Sequence, residues 1–198
     1  MTGGKLLPFR RVSGSVEELS DRALVSAVAE GDQAALGALY DRFHRDVHRF
    51  LGHLARRDKA IVDDLLQTSF IEAYRSAPRF RGASTVKTWL FGIAANLARN
   101  HFRGEQRGRA AAAKLETIDS AMPPSATEQM IAEQRRRWLT AAIDSLTPAL
   151  REAYVLCAVE ELPGKEAAQV LGITEASLWR RLTDARTALR AALEEMQR

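Results

Sequence analysis

"GKEAAQVLGITEASLWRRLTDARTAL", residues 164–189, is the stretch that decides how the chain folds. Ala168 stands where two helices can cross closely, Gly172 comes four residues later at a turn, and Leu178 falls ten after Ala168, facing a core. Thr174 is a good cap for the second helix. Along that helix Leu178, Leu182, Ala185, Leu189 and Leu193 recur at helical spacing and predict a buried seam. Ser177, Arg180, Arg181 and Asp184 share the opposite side. This is the layout of a helix-turn-helix, whose second helix enters a major groove and offers arginines to guanine edges or phosphates. An ordinary helical hairpin with solvated arginines is the competing reading. The Ala/Gly/Leu spacing favours DNA contact.

Upstream of this hairpin the chain reads as helices throughout, with no convincing strand and no internal repeat. Ser20 caps a helix through Ala29, and Asp32 caps one to about Ala55 that buries Leu36, Leu39, Phe43, Val47, Phe50 and Leu54. A third helix covers about 59–76, with Ile61, Leu65, Phe70 and Ile71 apolar, and a fourth covers about 85–103. Residues 104–127, with two adjacent prolines and an alanine run, read as a linker. Beyond it come a helix over 128–145, another starting near Pro148, and the hairpin. The fold class expected is therefore all-α: two small helical bundles joined by a flexible linker, the second containing the helix-turn-helix. Residues 1–19 form a flexible extension, 20–103 the first bundle, 104–127 the linker and 128–198 the second bundle.

The fourth helix, "TVKTWLFGIAANLARNHFR", has an unusual surface. At about 100° per residue, Trp89, Asn96, Asn100 and Arg103 fall in one narrow stripe with Arg99 at its edge. Apolar residues fill most of the remaining circumference. Amides can pair with the edge of an unstacked base, aromatic and guanidinium planes stack, and arginines hold phosphates, so the stripe suits single-stranded nucleic acid better than duplex. A tryptophan on a helix is more often core, but the charge around this one shifts the balance. From Arg75 to Arg109 there are eight basic residues, Arg79, Arg81 and Lys87 among them, against the single acid Glu105. Just upstream, Asp58, Asp63, Asp64 and Glu72 face only Lys59 over 58–72, so an acidic surface and a basic one point to two different partners.

The 198 residues are 46% hydrophobic and 27% charged with a net charge of +4, ordinary for a soluble globular protein. No apolar run approaches the roughly 20 residues needed to span a bilayer. The one cysteine, Cys157, lies in the apolar run "AYVLCAV" and reads as a small buried hydrophobe in a reducing cytoplasm. His44 and His48 are four apart with His53 nearby, but Asp41 and Asp46 do not complete a ligand set and the segment is a core helix. Neither a metal site nor a cofactor is expected. With no phosphate-cradling loop and no Ser/His/Asp set, the chain is not read as an enzyme.

Four blocks carry a family resemblance: "VAEGDQAALGALYDRFHRDV", "DDLLQTSFIEAYRSAPRFRG", "KTWLFGIAANLARNHFR" and the final "LTPALREAYVLCAVEELPGKEAAQVLGITEASLWRRLTDARTAL". In this order they resemble the regions of an extracytoplasmic-function sigma factor, a small specificity subunit of bacterial RNA polymerase, over about residues 21–193. The resemblance implies that the first bundle docks on the polymerase clamp helices through Asp63, Asp64 and Gln67. It implies that the fourth helix and the loop before it, with Arg79, Arg81, Lys87, Trp89, Asn96, Arg99, Asn100 and Arg103, melt the downstream promoter element and capture a flipped base. The second bundle would read the upstream element as duplex through Thr174, Ser177, Arg180 and Arg181, and touch the polymerase flap. The partners implied are core polymerase, promoter DNA both duplex and single-stranded, and an anti-sigma protein. The location implied is cytoplasmic, with any tie to the inner membrane made through that anti-sigma protein.

The chain departs from the family at several positions. Asn100 stands where many members have Asp, Trp179 where they have Lys, and Asp184 where they have Arg. The last two remove phosphate contacts and Arg180 adds one, so promoter preference does not transfer. Trp179 is left as either an exposed contact for a regulatory protein or a partly buried ring. The rival to a sigma factor is a one-component helix-turn-helix regulator with an effector domain in its first half. The basic first half argues against it.

Overall fold

The computed structural model describes residues 18–110 and 128–196, and most of the expected N-terminal extension and of the expected linker lies outside the described residues. Among the described residues the regular structure is all helical, in the order α1 (Asp21–Ala29), α2 (Gln33–Leu54), α3 (Lys59–Ser76), α4 (Val86–Ala110), α5 (Glu128–Ser145), α6 (Pro148–Tyr154), α7 (Gly164–Leu171) and α8 (Glu175–Met196). None of these helices is long and apolar enough to cross a membrane.

Local chemistry sets the starts. Ser20 Oγ accepts from the Ala23 amide at 3.3 Å, Asp32 Oδ1 from Ala34 at 2.8 Å, and Asp58 Oδ1 from Ile61 at 3.1 Å. Each satisfies a backbone donor that the first helical turn leaves unpaired. Gly31, at φ +91°, makes the tight corner between α1 and α2. The fourth helix outruns the sequence expectation: it continues past residue 103 to Ala110. The glycine at 104 is tolerated inside a helix at a cost of about 1 kcal/mol, so composition alone placed the boundary too early.

Helices α1 to α4 form the first bundle. Phe50 of α2 and Phe91 of α4 stack with centroids 4.7 Å apart at its centre, both fully buried, and burial of each such side chain is worth about 1.5–3 kcal/mol. Helices α5 to α8 form the second, around Leu156, Leu178 and Leu182. Between α6 and α7 the backbone passes through one π-helical turn, Val155–Val159. The two bundles pack against each other, chiefly α4 on α7 and α2 on α6. Arg151 stitches this junction: buried in α6, it donates to the carbonyls of Ile143, Asp144 and Leu146 at 2.6–3.1 Å, and across to Leu54 of α2 at 3.3 Å.

Candidate nucleic-acid interface

Helix α4 begins where Thr85 Oγ1 accepts from the Thr88 amide at 3.1 Å. Val86, Leu90, Phe91, Ala94, Ala95 and Ala98 are buried against the rest of the first bundle. That burial fixes the rotation of the helix and turns the polar stripe outward. Asn96, Asn100 and Arg103 are exposed, and Trp89 is half-buried with the Phe80 ring 4.8 Å away on one side. Trp89, Asn96 and Asn100 line one wall of an open cleft of about 640 Å³. Arg103 donates to Asn100 Oδ1 at 2.6 Å and to the Arg99 carbonyl at 3.3 Å. This uses the oxygen of the Asn100 amide and leaves its amino donors for another acceptor.

The other expected residues of the first half are distributed differently. Arg79 and Arg81 are exposed in the loop leading to α4. Lys87 is drawn toward Asp46 at 3.2 Å and Glu160 at 3.6 Å, with its ammonium 5.3 Å from the centre of the Phe91 ring. Arg99 pairs with Glu152 at 3.2 Å. Arg49 grips Glu160 with two bonds, Nε to Oε1 at 2.8 Å and Nη2 to Oε2 at 2.5 Å. The bonds to Glu160 push the Arg49 guanidinium further above its ordinary range. Burial pushes the Glu152 carboxyl up, and the neighbouring Arg99 offsets this only in part. Burial acts the same way on Asp46, yet Lys87 and Arg49 hold its carboxyl below the usual value.

In the second bundle the helix-turn-helix spacing is realised. Ala168 and Leu178 are buried, and Gly172 takes the left-handed conformation at φ +65° that ends α7. Thr174 Oγ1 accepts from the Ser177 amide at 3.2 Å and donates to Ser177 Oγ at 2.9 Å. Arg180 and Asp184 are exposed, and Ser177 and Arg181 are half-buried. Trp179 is 49% exposed and lies across Gly164, where an added Cβ would come within 2.5 Å of its ring. One edge of the indole is therefore packed and the rest is open.

Asp63, Asp64 and Gln67 are exposed on α3, with Asp63 3.6 Å from His48. Asp63 and Gln67 border a groove of about 570 Å³ that the sequence reading missed. Leu36, Leu66 and Phe70 also line it, together with Tyr40, Ile71 and Tyr74, which are about 40% exposed each. Contiguous exposed apolar side chains beside carboxylates mark a contact surface better than the carboxylates do alone. His44 stacks on Tyr40 at 4.9 Å, and among the described residues no group of three His, Cys, Asp or Glu side chains could hold a metal.

Comparison with known proteins covers both bundles. Residues 39–108 match Sigma-70 region 2, and residues 136–189 match Sigma-70, region 4. The ECF RNA polymerase sigma-E factor of Escherichia coli strain K12 is 30% identical over 182 residues, covering 87% of this chain and 94% of that protein. The protein of the same name from Salmonella typhimurium strain LT2 matches to the same extent, 30% over 182 residues. Among solved structures, CnrH in complex with the cytosolic domain of CnrY superposes with a TM-score of 0.65 at 25% identity, over 88% of this chain and 97% of that one. The sigma factor RpoE of Bartonella quintana, in complex with the anti-sigma factor NepR, has the same fold, with a TM-score of 0.62 at 23% identity over 78% and 94%.

Proposed function

The chain belongs to the ECF sigma factors of the sigma-70 family, and from that premise we propose how its surfaces divide the work of starting transcription. The first bundle opens the downstream promoter element. Asn96 and Asn100 hydrogen-bond the edge of a base that has left the stack, Trp89 offers the exposed part of its ring, and Arg103 with Arg79 and Arg81 takes phosphates. Stacking on an aromatic is worth about 1–3 kcal/mol per base, comparable with the cost of unstacking one, so a few such contacts hold parted strands. The single observation that supports this reading best is the pair of exposed amides beside a half-buried indole in an open cleft.

The second bundle grips the upstream element as duplex, with α8 in the major groove and Arg180 and Arg181 contacting bases or phosphates. Thr174 and Ser177 add hydroxyls near the start of that helix. The α2–α3 groove takes core polymerase: Tyr40, Ile71 and Tyr74 supply apolar contact, while Asp63, Asp64 and Gln67 set orientation and charge. The two structural relatives were solved with CnrY and with an anti-sigma factor, which supports an anti-sigma protein as a further partner here. No step of this scheme asks the chain to make or break a covalent bond.

Transcription with purified core polymerase tests the division. Asn96→Ala with Asn100→Ala should lower transcript yield at least about tenfold from a matched promoter while co-purification with core is unchanged, since two base contacts at about 1 kcal/mol or more are lost. Asp63→Arg should do the reverse, weakening co-purification by charge reversal. Normal transcription by the double asparagine variant would refute the placement of the stripe.

A further inference from the structure

On α8 the structure turns outward a different face from the one the spacing suggested. Ser177 and Arg181 are half-buried, whereas Ala176, Trp179, Arg180, Thr183 and Asp184 are exposed. Leu178, Leu182, Ala185 and Leu189 anchor the helix from within. At about 100° per residue, the centre of the opposite face lies between Arg180 and Thr183, with Trp179 on one flank and Asp184 on the other. The indole is held in place. Its benzo edge lies over Gly164 at the start of α7, so closely that only a residue without a Cβ fits beneath it. Thr183 donates its hydroxyl to the Trp179 carbonyl at 3.0 Å, which engages the oxygen and leaves the methyl as the end without a bond to make. Ring and methyl form a fixed apolar strip on a helix whose residues 175–190 include four arginines and two acids. Among the described residues of α7 and α8, Trp179 is the one large apolar side chain left exposed. A protein partner is held by a contiguous apolar patch, and no second large apolar side chain of these two helices joins this ring.

We propose that Trp179, with the Thr183 methyl beside it, selects thymine in the upstream promoter element through the C5 methyl of that base. This rests on the reading of α8 as the helix that enters the major groove, and adds a base preference to it. In that groove thymine is distinguished by its methyl, which takes apolar contact, and guanine by O6 and N7, which take an arginine. Trp179 and Arg180 are consecutive on the exposed face, so together they read a thymine and a guanine in neighbouring base pairs. A ring that turns on two torsions, with one edge already packed, loses little freedom when it meets a base. Gly164 is a positioning residue: it sets where the ring lies and touches no base.

The test uses the full chain assembled with core polymerase, selecting from duplexes randomised across the upstream element. The parent should enrich a thymine in a base pair neighbouring a guanine, and Arg180→Ala should lose the guanine. On the enriched sequence, deoxyuridine in place of that thymine removes the C5 methyl and nothing else, and should weaken binding about fourfold. Trp179→Ala should bind the two duplexes equally, and its own selection should no longer favour thymine there. Trp179→Lys, with helical content as in the parent, should behave the same way and serves if the alanine variant folds poorly. No enrichment of such a thymine, equal binding of both duplexes by the parent, or a fourfold preference retained by either variant would overturn the assignment. Unchanged selection by both variants would give the ring to a protein partner instead. Arg180→Ala keeps the two readings apart. Loss of the guanine with no methyl effect leaves α8 in the groove and rejects the thymine contact, whereas no effect of either residue rejects the groove reading itself.

Discussion

Arg99 of the first half and Arg180 of the second are presented in opposite ways. In α4, Arg99 is held by Glu152, and Lys87 is drawn to Asp46 and Glu160. In α8, Arg180 points into solvent. On the reading proposed above, the difference follows from what each face would meet. A duplex presents its phosphates and groove edges ready-made, so a reading helix can stand open. Parted strands exist only after melting, and a basic, aromatic-bearing surface left bare would collect any nucleic acid nonspecifically.

Three perturbations would break or sharpen this contrast. Arg180→Ala should cost about 1–3 kcal/mol of promoter affinity in the polymerase complex, and fully duplex promoter should suffice to show the loss. Arg99→Ala should show its loss only on templates whose downstream element is already unpaired, in a filter-binding or anisotropy comparison of the two templates. Equal losses on both templates would erase the distinction. Gly164→Ala should destabilise the second bundle by about 1–3 kcal/mol in chemical denaturation, because the methyl would drive into the Trp179 ring. Combining it with Trp179→Ala should remove the clash and restore part of the loss.

The smallest effect concerns the junction. Burial, helped by Arg57, lowers the pKa of His53 from its ordinary 6.5, against the opposing pull of Glu160 and Asp144. The folded state therefore binds fewer protons on His53 than the unfolded chain does. Its contribution to stability is complete above pH 6.5 and is lost as pH falls through the lowered value. Thermal melts from pH 7 to 5 should fall more steeply for the parent than for His53→Gln.

What could be read in advance was local. Ser20, Asp32 and Thr174 cap by bonds to amides two or three residues away, and the Ala168, Gly172, Leu178 spacing is a matter of one hairpin. The outward aim of Asn96 and Asn100 followed from the apolar seam of their own helix. What escaped were relations between distant segments. Ile71 falls in an apolar pattern, yet it is 43% exposed beside Tyr40 and Tyr74, because no element among the described residues covers that side of α3. Arg49 and Glu160 meet across a separation of 111 residues, and nothing in helical periodicity couples them. The same holds for the Phe80 ring that occupies one side of Trp89.

The central claim is that the α4 stripe stabilises a base outside the helix stack. A fluorescent base analogue placed in the downstream promoter element reports unstacking directly as the polymerase complex forms. The parent should give a strong rise in fluorescence, and Asn96→Ala with Asn100→Ala should give little despite equal polymerase association. A full rise with both amides removed would contradict the account.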